Sequence, residues 1–271
     1  MPASGRGRFS AVLKRNVRVS PTCHLLVFER PEDFPAAFPG QFVSIRVSDS
    51  SVPLLRRPYS IMDLTLRTLS LLVKVVGRGS ADLASRRPGA AVDIIGPLGG
   101  AGFPDPEDGA VVCVAGGTGL APLLFAVRTW RRKRLGVKTY LLYGAGSRDE
   151  LLGGLVAGDF SMRRFATLDG SAGYHGDVVA LLCSLLKRNL MPARMLYSCG
   201  PRGMVRALAG GVGRRFVDHY TSLESIMACG VGACRGCTVP VRTAGSTALR
   251  TVCSDGTVFR ASEIVWEEWL E

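Results

Sequence analysis

The sequence is short of acid. Against 34 lysines and arginines it sets 22 aspartates and glutamates, a formal net charge of +12. Charged residues make up only 21% of the chain, which excludes the composition of a disordered segment. Histidine is scarce too. The three present, His24, His175 and His219, lie far apart, and none has a partner at triad or ligand spacing. All three are read as structural. There is no internal repeat, no low-complexity tract and no nucleic-acid module such as a zinc finger or an RNP motif. Residues 1–8 carry no apolar run, so a secretory signal is not indicated and a cytoplasmic setting is expected. One uncharged stretch, 109–127, imitates a membrane span. Gly116, Gly117, Gly119 and Pro122 interrupt its middle. A spanning helix needs about 20 unbroken apolar residues, so a buried strand, a glycine turn and the start of a helix explain it better.

What is present in quantity is apolar surface, glycine and cysteine. Hydrophobic residues make up 47%, and 271 residues suit two modest domains plus a small appendage, or one large domain. The 33 glycines cluster in loops. Half of the eight cysteines fall in one window near the C-terminus. Such clustering in a cytosolic chain favours a metal site over disulfides. Basic residues gather near the N-terminus (Arg6, Arg8, Lys14, Arg15, Arg18) and at 128–138 (Arg128, Arg131, Arg132, Lys133, Arg134, Lys138). Such a surface can meet nucleic acid, an anionic membrane or an acidic protein. The plainer reading is a solvated helix face.

The rhythm of the chain changes twice. Up to residue 100, short Val/Ile/Leu/Phe runs at 9–13, 24–29, 41–47, 57–62, 68–76 and 91–95 alternate with Gly, Pro, Ser and Asp, which predicts a closed antiparallel barrel. A helix interrupts it, with Ser80 as cap, Asp82 in the first turn and Pro88-Gly89 at its end. FPDPEDG at 103–109 reads as a linker. Beyond it, strands at 111–115, 139–143 and near 194–198 alternate with helices at 120–135, 177–188 and 202–209, the mark of a parallel sheet covered on both faces. From Phe216, a capping box at Thr221-Ser-Leu-Glu224, a cysteine loop and strands at 238–242 and 257–260 predict a small subdomain. The expected fold is therefore β plus α/β, with domains at 6–104, 105–215 and 216–271.

Three motifs carry chemistry. Cys229-x4-Cys234-x2-Cys237-x15-Cys253 has the plant-type spacing of a [2Fe–2S] cluster. Gly230, Gly232 and Gly236 let the backbone curl so that amide N–H groups can donate to sulfur. A zinc site or free thiols are the alternatives, and zinc more often uses two CxxC knuckles. Arg57-Pro58-Tyr59-Ser60 on a strand, with Gly77-Arg78-Gly79-Ser80 before a helix, suggests a flavin dinucleotide. The arginine and helix start would take the diphosphate, with Tyr59 and Ser60 at the ring; alone, the four-residue string is weak. Gly116-Gly117-Thr118-Gly119-Leu120-Ala121-Pro122, between strand and helix, suits a nucleotide phosphate or is simply a tight turn. It is not GxGxxG. Ser198-Cys199-Gly200-Pro201 follows another apolar strand at the same sheet edge. Cys23, Cys113 and Cys183 sit in apolar runs and are read as core.

RPYS, GGTGLAP and SCGP stand in the order found in the ferredoxin–NADP reductase superfamily, and the chain resembles that family over nearly its whole length. SLESIMACGVGACRGCTVP, VCSDGTVF, DIIGPLGGAGF and LDGSAGYHGDV resemble the electron-transfer subunits of type B dihydroorotate dehydrogenases. That resemblance implies an FAD-binding barrel, an NAD-binding α/β domain and a [2Fe–2S] subdomain. Arg57 and Pro58 would lie along the FAD, with Arg57 on its phosphate, Tyr59 on the flavin and Ser60 near N5. Lys74, Val75, Val76, Gly79 and Ser80 would make further FAD contacts. Gly117, Thr118 and Gly119 would border NAD(H), Cys199 would face its ring, and Ser60 and Cys199 would be the catalytic pair. Cys229, Cys234, Cys237 and Cys253 would ligate the cluster. Thr118 stands where the family often has glycine. The implied partner is an FMN-containing dihydroorotate dehydrogenase catalytic subunit, in a heterotetramer serving pyrimidine biosynthesis. Nicotinamide moves electrons in pairs and the cluster singly, so FAD must stand between them. NAD(H) is expected over NADP(H), although Ser147-Arg148 could serve a 2′-phosphate. Two alternatives remain: the NAD(P)H-oxidising subunit of a hydrogenase, sulfide dehydrogenase or transhydrogenase, or a non-enzymatic electron-carrier module.

Overall fold

The computed structural model describes residues 5–48, 52–106, 109–191 and 194–269. Six antiparallel strands come first: β1 (Gly7–Arg18), β2 (Cys23–Glu29), β3 (Phe42–Ile45), β4 (Arg57–Leu64), β5 (Thr68–Lys74) and β6 (Ala91–Leu98). They close into a barrel in the order β1-β2-β5-β4-β3-β6, β6 returning to pair with β1. Closure removes the exposed edges that an open sheet of these apolar strands would present. Alternate residues such as Leu26 and Phe28 on β2, and Leu69, Leu71 and Val73 on β5, fill the interior completely.

Helix α1 (Arg78–Ala84) follows β5, and the expectation for its start needs correcting. The N-cap is Gly77, and Ser80 is the third helical residue. The Ser80 hydroxyl reaches back instead. It accepts from the N–H of Val76 (2.9 Å) and of Gly77 (3.1 Å) and donates to the Gly77 carbonyl (2.8 Å). No acid lies in the first turn, so Asp82 does not serve there. The helix ends at Ala84, before Pro88-Gly89. Gly89 (φ +93°) instead turns the chain into β6, its N–H bonded to the Leu13 carbonyl.

The second half alternates as expected: β7 (Ala110–Gly116), α2 (Leu120–Arg132), β8 (Lys138–Ala145), β9 (Met162–Thr167), β10 (Tyr174–His175), α3 (Val178–Lys187), β11 (Met195–Cys199), α4 (Arg202–Gly210) and β12 (Asp218–Ser222). The hairpin β13 (Thr238–Thr243) and β14 (Ser246–Thr251) and the short β15 (Val258–Arg260) close the chain. The large sheet runs β10-β9-β8-β7-β11-β12-β15, parallel except at β15. One face packs on α2 and, through Met62 and Leu72, on the barrel. The other packs on α3. The apolar stretch 109–127 is indeed strand, turn and helix, and no helix among the described residues is long and apolar enough to cross a membrane.

Tertiary pairing alters several of the sequence expectations here. Thr221 and Ser222 do not cap a helix; they end the buried strand β12, and Leu223 donates its N–H to the Thr257 carbonyl at 2.8 Å. The capping-box letters lost because a neighbouring strand satisfies that backbone. Residues 258–260 pair with β12 rather than with the hairpin β13-β14, while Phe259 packs on the C-terminal core, so the sheet takes two strands from beyond residue 215. The segment at 103–109 is no loose linker at its start. Phe103 is buried and stacks on Tyr197 (5.1 Å), whose hydroxyl donates to the Pro104 carbonyl (2.9 Å); residues 107 and 108 lie outside the described residues.

The basic run on α2 is largely solvated, as expected, and it is also paired with acids. Arg128 pairs with Asp159 (2.9 Å) and with Asp63 (3.5 Å) of β4, while Arg132 also reaches Asp63 (2.8 Å). Arg131 joins at Asp159 and Lys133 at Asp105. An exposed pair contributes little, but Arg128 is mostly buried and sits between two carboxylates, so the network holds α2 to the barrel.

Candidate redox site

The carboxyl end of the parallel sheet meets the barrel. From β7 the strand order runs outward through β8, β9 and β10 on one side and through β11 and β12 on the other. The crevice between β7 and β11 is the topological switch point, where open α/β sheets take ligands. Gly117-Thr118-Gly119 bridges β7 to α2 there, and β11 ends there at Cys199, in register with Ala115 and Ser222. The two turns are stacked. A Cβ on Gly119 would lie 2.2 Å from the Cys199 carbonyl oxygen, and one on Gly116 would lie 2.8 Å from the Pro201 ring. Gly117 has φ +52° and nothing within 4 Å of its would-be Cβ, so its backbone faces open space.

Cys199 is fully buried, and burial holds its pKa well above the usual thiol value, so it is a neutral thiol. Ser222 hydrogen-bonds it and Glu224 is the carboxylate nearest in effect. Sequence reasoning missed Glu224 by spending it on a capping box. Its side chain opens to solvent, yet the surrounding protein desolvates the carboxyl enough to raise its pKa, with Lys74 at the end of β5 opposing. A carboxylate two residues past a buried strand end at the switch point was the available signal.

Arg57, Pro58, Tyr59 and Ser60 lie half-buried along β4, in register with Ile45, Ser44, Val43 and Phe42 of β3. Burial pushes the Tyr59 hydroxyl up to about 12, with Arg57 opposing, so it stays protonated. The Arg57 guanidinium is aimed by the carbonyls of Leu55 (2.7 Å) and Arg56 (3.2 Å), and its Nε lies 3.5 Å from the would-be Cβ of Gly79. Arginine and the first turn of α1 therefore converge, and that turn's leading N–H groups have no intrahelical acceptor. The N–H groups of Val75 and Val76 are already bonded, to the Thr22 carbonyl and the Ser80 hydroxyl. The Ser80 hydroxyl is thereby committed, leaving its backbone for a ligand.

The cysteine loop curls as the spacing predicts. Gly230 and Gly232 take φ +71° and +87°. Amide N–H groups then point at sulfur: Gly232 to Cys253 Sγ (3.1 Å), Cys234 and Val231 to Cys229 Sγ (3.4 and 3.5 Å), and Gly236 to Cys234 Sγ (3.4 Å). The Cys234 amide, then that of Val231, lowers the Cys229 pKa to about 6. The thiols lie close enough to act on one another, Cys229 with Cys234, and Cys253 with Cys237 and Cys229. Two irons bridged by sulfide need two pairs of ligands, whereas one zinc needs four around a point. The donor set fits a two-iron cluster. The loop lies against the barrel, for a Cβ on Gly230 would sit 3.5 Å from Ser44 Oγ on β3. Gly99 also donates its N–H to the Cys253 carbonyl. The cluster loop is thus one strand away from RPYS.

A family model, the iron-sulfur cluster binding domain of dihydroorotate dehydrogenase B, matches residues 224–265. The electron transfer subunit of dihydroorotate dehydrogenase B (NAD(+)) from Desulforamulus reducens is 37% identical over 268 residues, covering 96% of this chain and 98% of the relative. This chain belongs to that family. The Geobacillus kaustophilus subunit of the same name is 39% identical over 84% of this chain and 86% of its own length. Among solved structures, the NADH-dependent reduced ferredoxin-NADP oxidoreductase aligns with TM-score 0.80 and 26% identity, over 95% of this chain and 90% of that one. The ferredoxin reductase of carbazole 1,9a-dioxygenase shares the fold (TM-score 0.67, 22% identity, 80% of this chain and 70% of that one).

The remaining readings of the sequence concern residues outside the crevice. Cys23 and Cys113 are buried core and Cys183 is half-buried on α3. His24 bonds Asn16 Oδ1 (2.8 Å), His175 is exposed, and His219 bonds the Ser198 hydroxyl (2.8 Å) inside the protein. Trp266 and Trp269 pack on their own chain, in a cluster that includes Phe42 and Leu98 of the barrel.

Proposed function

We propose that this chain is the NAD⁺-linked electron-transfer subunit of a dihydroorotate dehydrogenase, working in the cytoplasm with an FMN-bearing catalytic subunit in a heterotetramer. Its parts divide as an FAD barrel (6–104), a nucleotide domain (105–215) and a cluster segment (216–271) that lends two strands to the sheet. Arg57 and the start of α1, with Gly79 and Ser80, hold the diphosphate of FAD. Pro58 and Tyr59 lie along the flavin, Lys74, Val75 and Val76 border it, and Ser60 presents a hydroxyl to the ring edge. Gly117, Thr118 and Gly119 bound the nicotinamide nucleotide. Cys199, a neutral thiol, shapes the nicotinamide pocket beside Ser60, and Glu224 with its raised pKa is the proton-holding group there. The four cysteines hold the [2Fe–2S] cluster. When bound, FAD exchanges a hydride with nicotinamide and single electrons with the cluster. NAD is the expected dinucleotide, in keeping with the relatives' names, and Arg148 is held by the Ser171 carbonyl (2.6 and 2.9 Å).

The contact of Gly230 with Ser44 carries the reading, because it sets the cluster loop beside the strand that pairs with RPYS. The test is Cys234→Ser. The purified parent should carry about two irons and two sulfides per chain. The variant should lose both, keep FAD and NADH-driven dye reduction, and fail to couple dihydroorotate oxidation by the catalytic subunit to NAD⁺ reduction. Zinc without sulfide in the parent, or NAD⁺ reduction by dihydroorotate without the catalytic subunit, would overturn it.

A further inference from the structure

A sizeable cavity lies away from the residues of the redox crevice. It is a groove of about 860 Å³ between α4, the glycine-rich turn at 210–213 that follows it, and the C-terminal segment 261–267. That volume lies in the range of small-molecule sites. The sequence opens it deliberately on one side. Gly203 and Gly210 line the groove from α4, and a Cβ on either would meet nothing within 4 Å.

The walls have a definite chemistry. Arg206 and Arg214 line the groove, and their guanidiniums have no hydrogen bond or ion pair among the described residues. A third guanidinium, Arg242, is only loosely matched to the one carboxylate of the lining, Glu267, at 4.0 Å. This contrasts with α2, where basic residues are answered by aspartates. The floor is apolar, with Phe216 and Trp266 mostly buried beneath it.

A second observation points to a ligand. His219, 9% exposed, also lines the groove. Its Nε2 is taken by the Ser198 hydroxyl, while its Nδ1 has no hydrogen-bond partner among the described residues. That nitrogen is not sealed in the interior but opens onto the groove, where a polar group of an occupant can meet it. Gly213 stands beside it, and a Cβ there would approach Nδ1 to 2.9 Å, so the sequence keeps that nitrogen uncovered. Unpaired guanidiniums, an open imidazole nitrogen and an aromatic floor are what a phosphate-bearing ring compound requires.

We propose that this groove binds a small phosphomonoester of nucleoside-monophosphate size. Arg206 and Arg214 grip the phosphate, His219 Nδ1 meets a polar group of the body, and Trp266 and Phe216 carry its apolar face. The site is separate from the FAD and nicotinamide loops, though His219 on β12 bonds Ser198, which lies next to Cys199 on the strand that borders the redox crevice.

The probe is uridine monophosphate, chosen because it lacks the adenine that both dinucleotide sites would accept. It is titrated into the FAD- and cluster-loaded chain held in excess NAD⁺, with calorimetry and tryptophan fluorescence as readouts. Saturable binding below about 1 mM is expected, with uridine and inorganic phosphate each at least about tenfold weaker. Arg206→Ala/Arg214→Ala should weaken it about tenfold or more. Gly203→Leu, which fills the groove from a helical position that tolerates a side chain, should abolish it. Both variants should keep the parent's NADH-driven dye reduction. No saturable binding in that range, uridine binding as tightly as its monophosphate, or an affinity that both variants leave unchanged would overturn the proposal.

Discussion

The glycine turns at 116–119 and 230–236 look alike as letters and are built on different physics. At Gly119 the backbone is ordinary, with φ −59°, and what forbids a side chain is the Cys199 carbonyl 2.2 Å from its would-be Cβ. The demand there is for space between two stacked turns. At Gly230 and Gly232 the backbone itself is left-handed, and the demand is for direction, because only that curl aims successive amides at sulfur. Reading both as loops that let a ligand approach is right about their address and incomplete about their cause. One glycine turn is rigid because the protein packs on it, and the other is shaped so that the protein can wrap something.

Substitution separates the two causes. Gly119→Ala should have the largest effect, a loss of more than about 3 kcal/mol, since the opposing atoms are backbone and cannot swing away. Chemical denaturation would measure it, and an unchanged midpoint would mean the turns are not stacked. The neighbouring strand β12 can be probed by pH through His219, whose pKa burial lowers from 6.5 to about 4. The folded state resists protonation that the unfolded chain accepts, so stability is complete above about 6.5 and falls as pH drops towards 4, by at most about 3 kcal/mol. His219→Gln should flatten that part of the stability curve; an unaltered slope would locate it elsewhere. On the curled side, Gly232→Ala should cost about 2 kcal/mol, from left-handed strain plus a clash with the movable Ser254 hydroxyl. Unlike Gly119→Ala it should also bleach the visible absorbance of the cluster while FAD stays bound. Gly117→Ala is the smallest case. Its φ is +52° but no atom opposes the new carbon, so about 1 kcal/mol is expected, together with a raised KM for NADH if the methyl enters the nucleotide path. An effect as large as that of Gly119→Ala would erase the distinction.

The barrel was legible because its strands alternate faces, and the parallel sheet because its strands are buried on both sides and read as unbroken apolar runs. β9 was not, because MRRFAT carries two arginines and resembles surface. The cysteine loop was legible from spacing alone, since ligand geometry is local. Glu224 was hidden for the opposite reason. In the sequence it completes a capping box, and only the pairing of β12 with β11 and β15 turns it towards Cys199 and Lys74. The arginines of α2 look like a docking surface until Asp63 and Asp159, far off in the chain, come to meet them.

By itself the sequence determined whatever depends on neighbours along the chain: strand period, the glycine turns, the four-cysteine spacing and the RPYS strand. Tertiary structure decided what depends on partners distant in sequence. It chose strand over helix at Thr221-Ser222, gave β15 to the large sheet, paired off the basic helix, and left Arg206, Arg214 and the His219 nitrogen facing one groove. The physical reason is that a backbone group or a charge takes the partner that folding delivers, and a local pattern says only which partners it can accept.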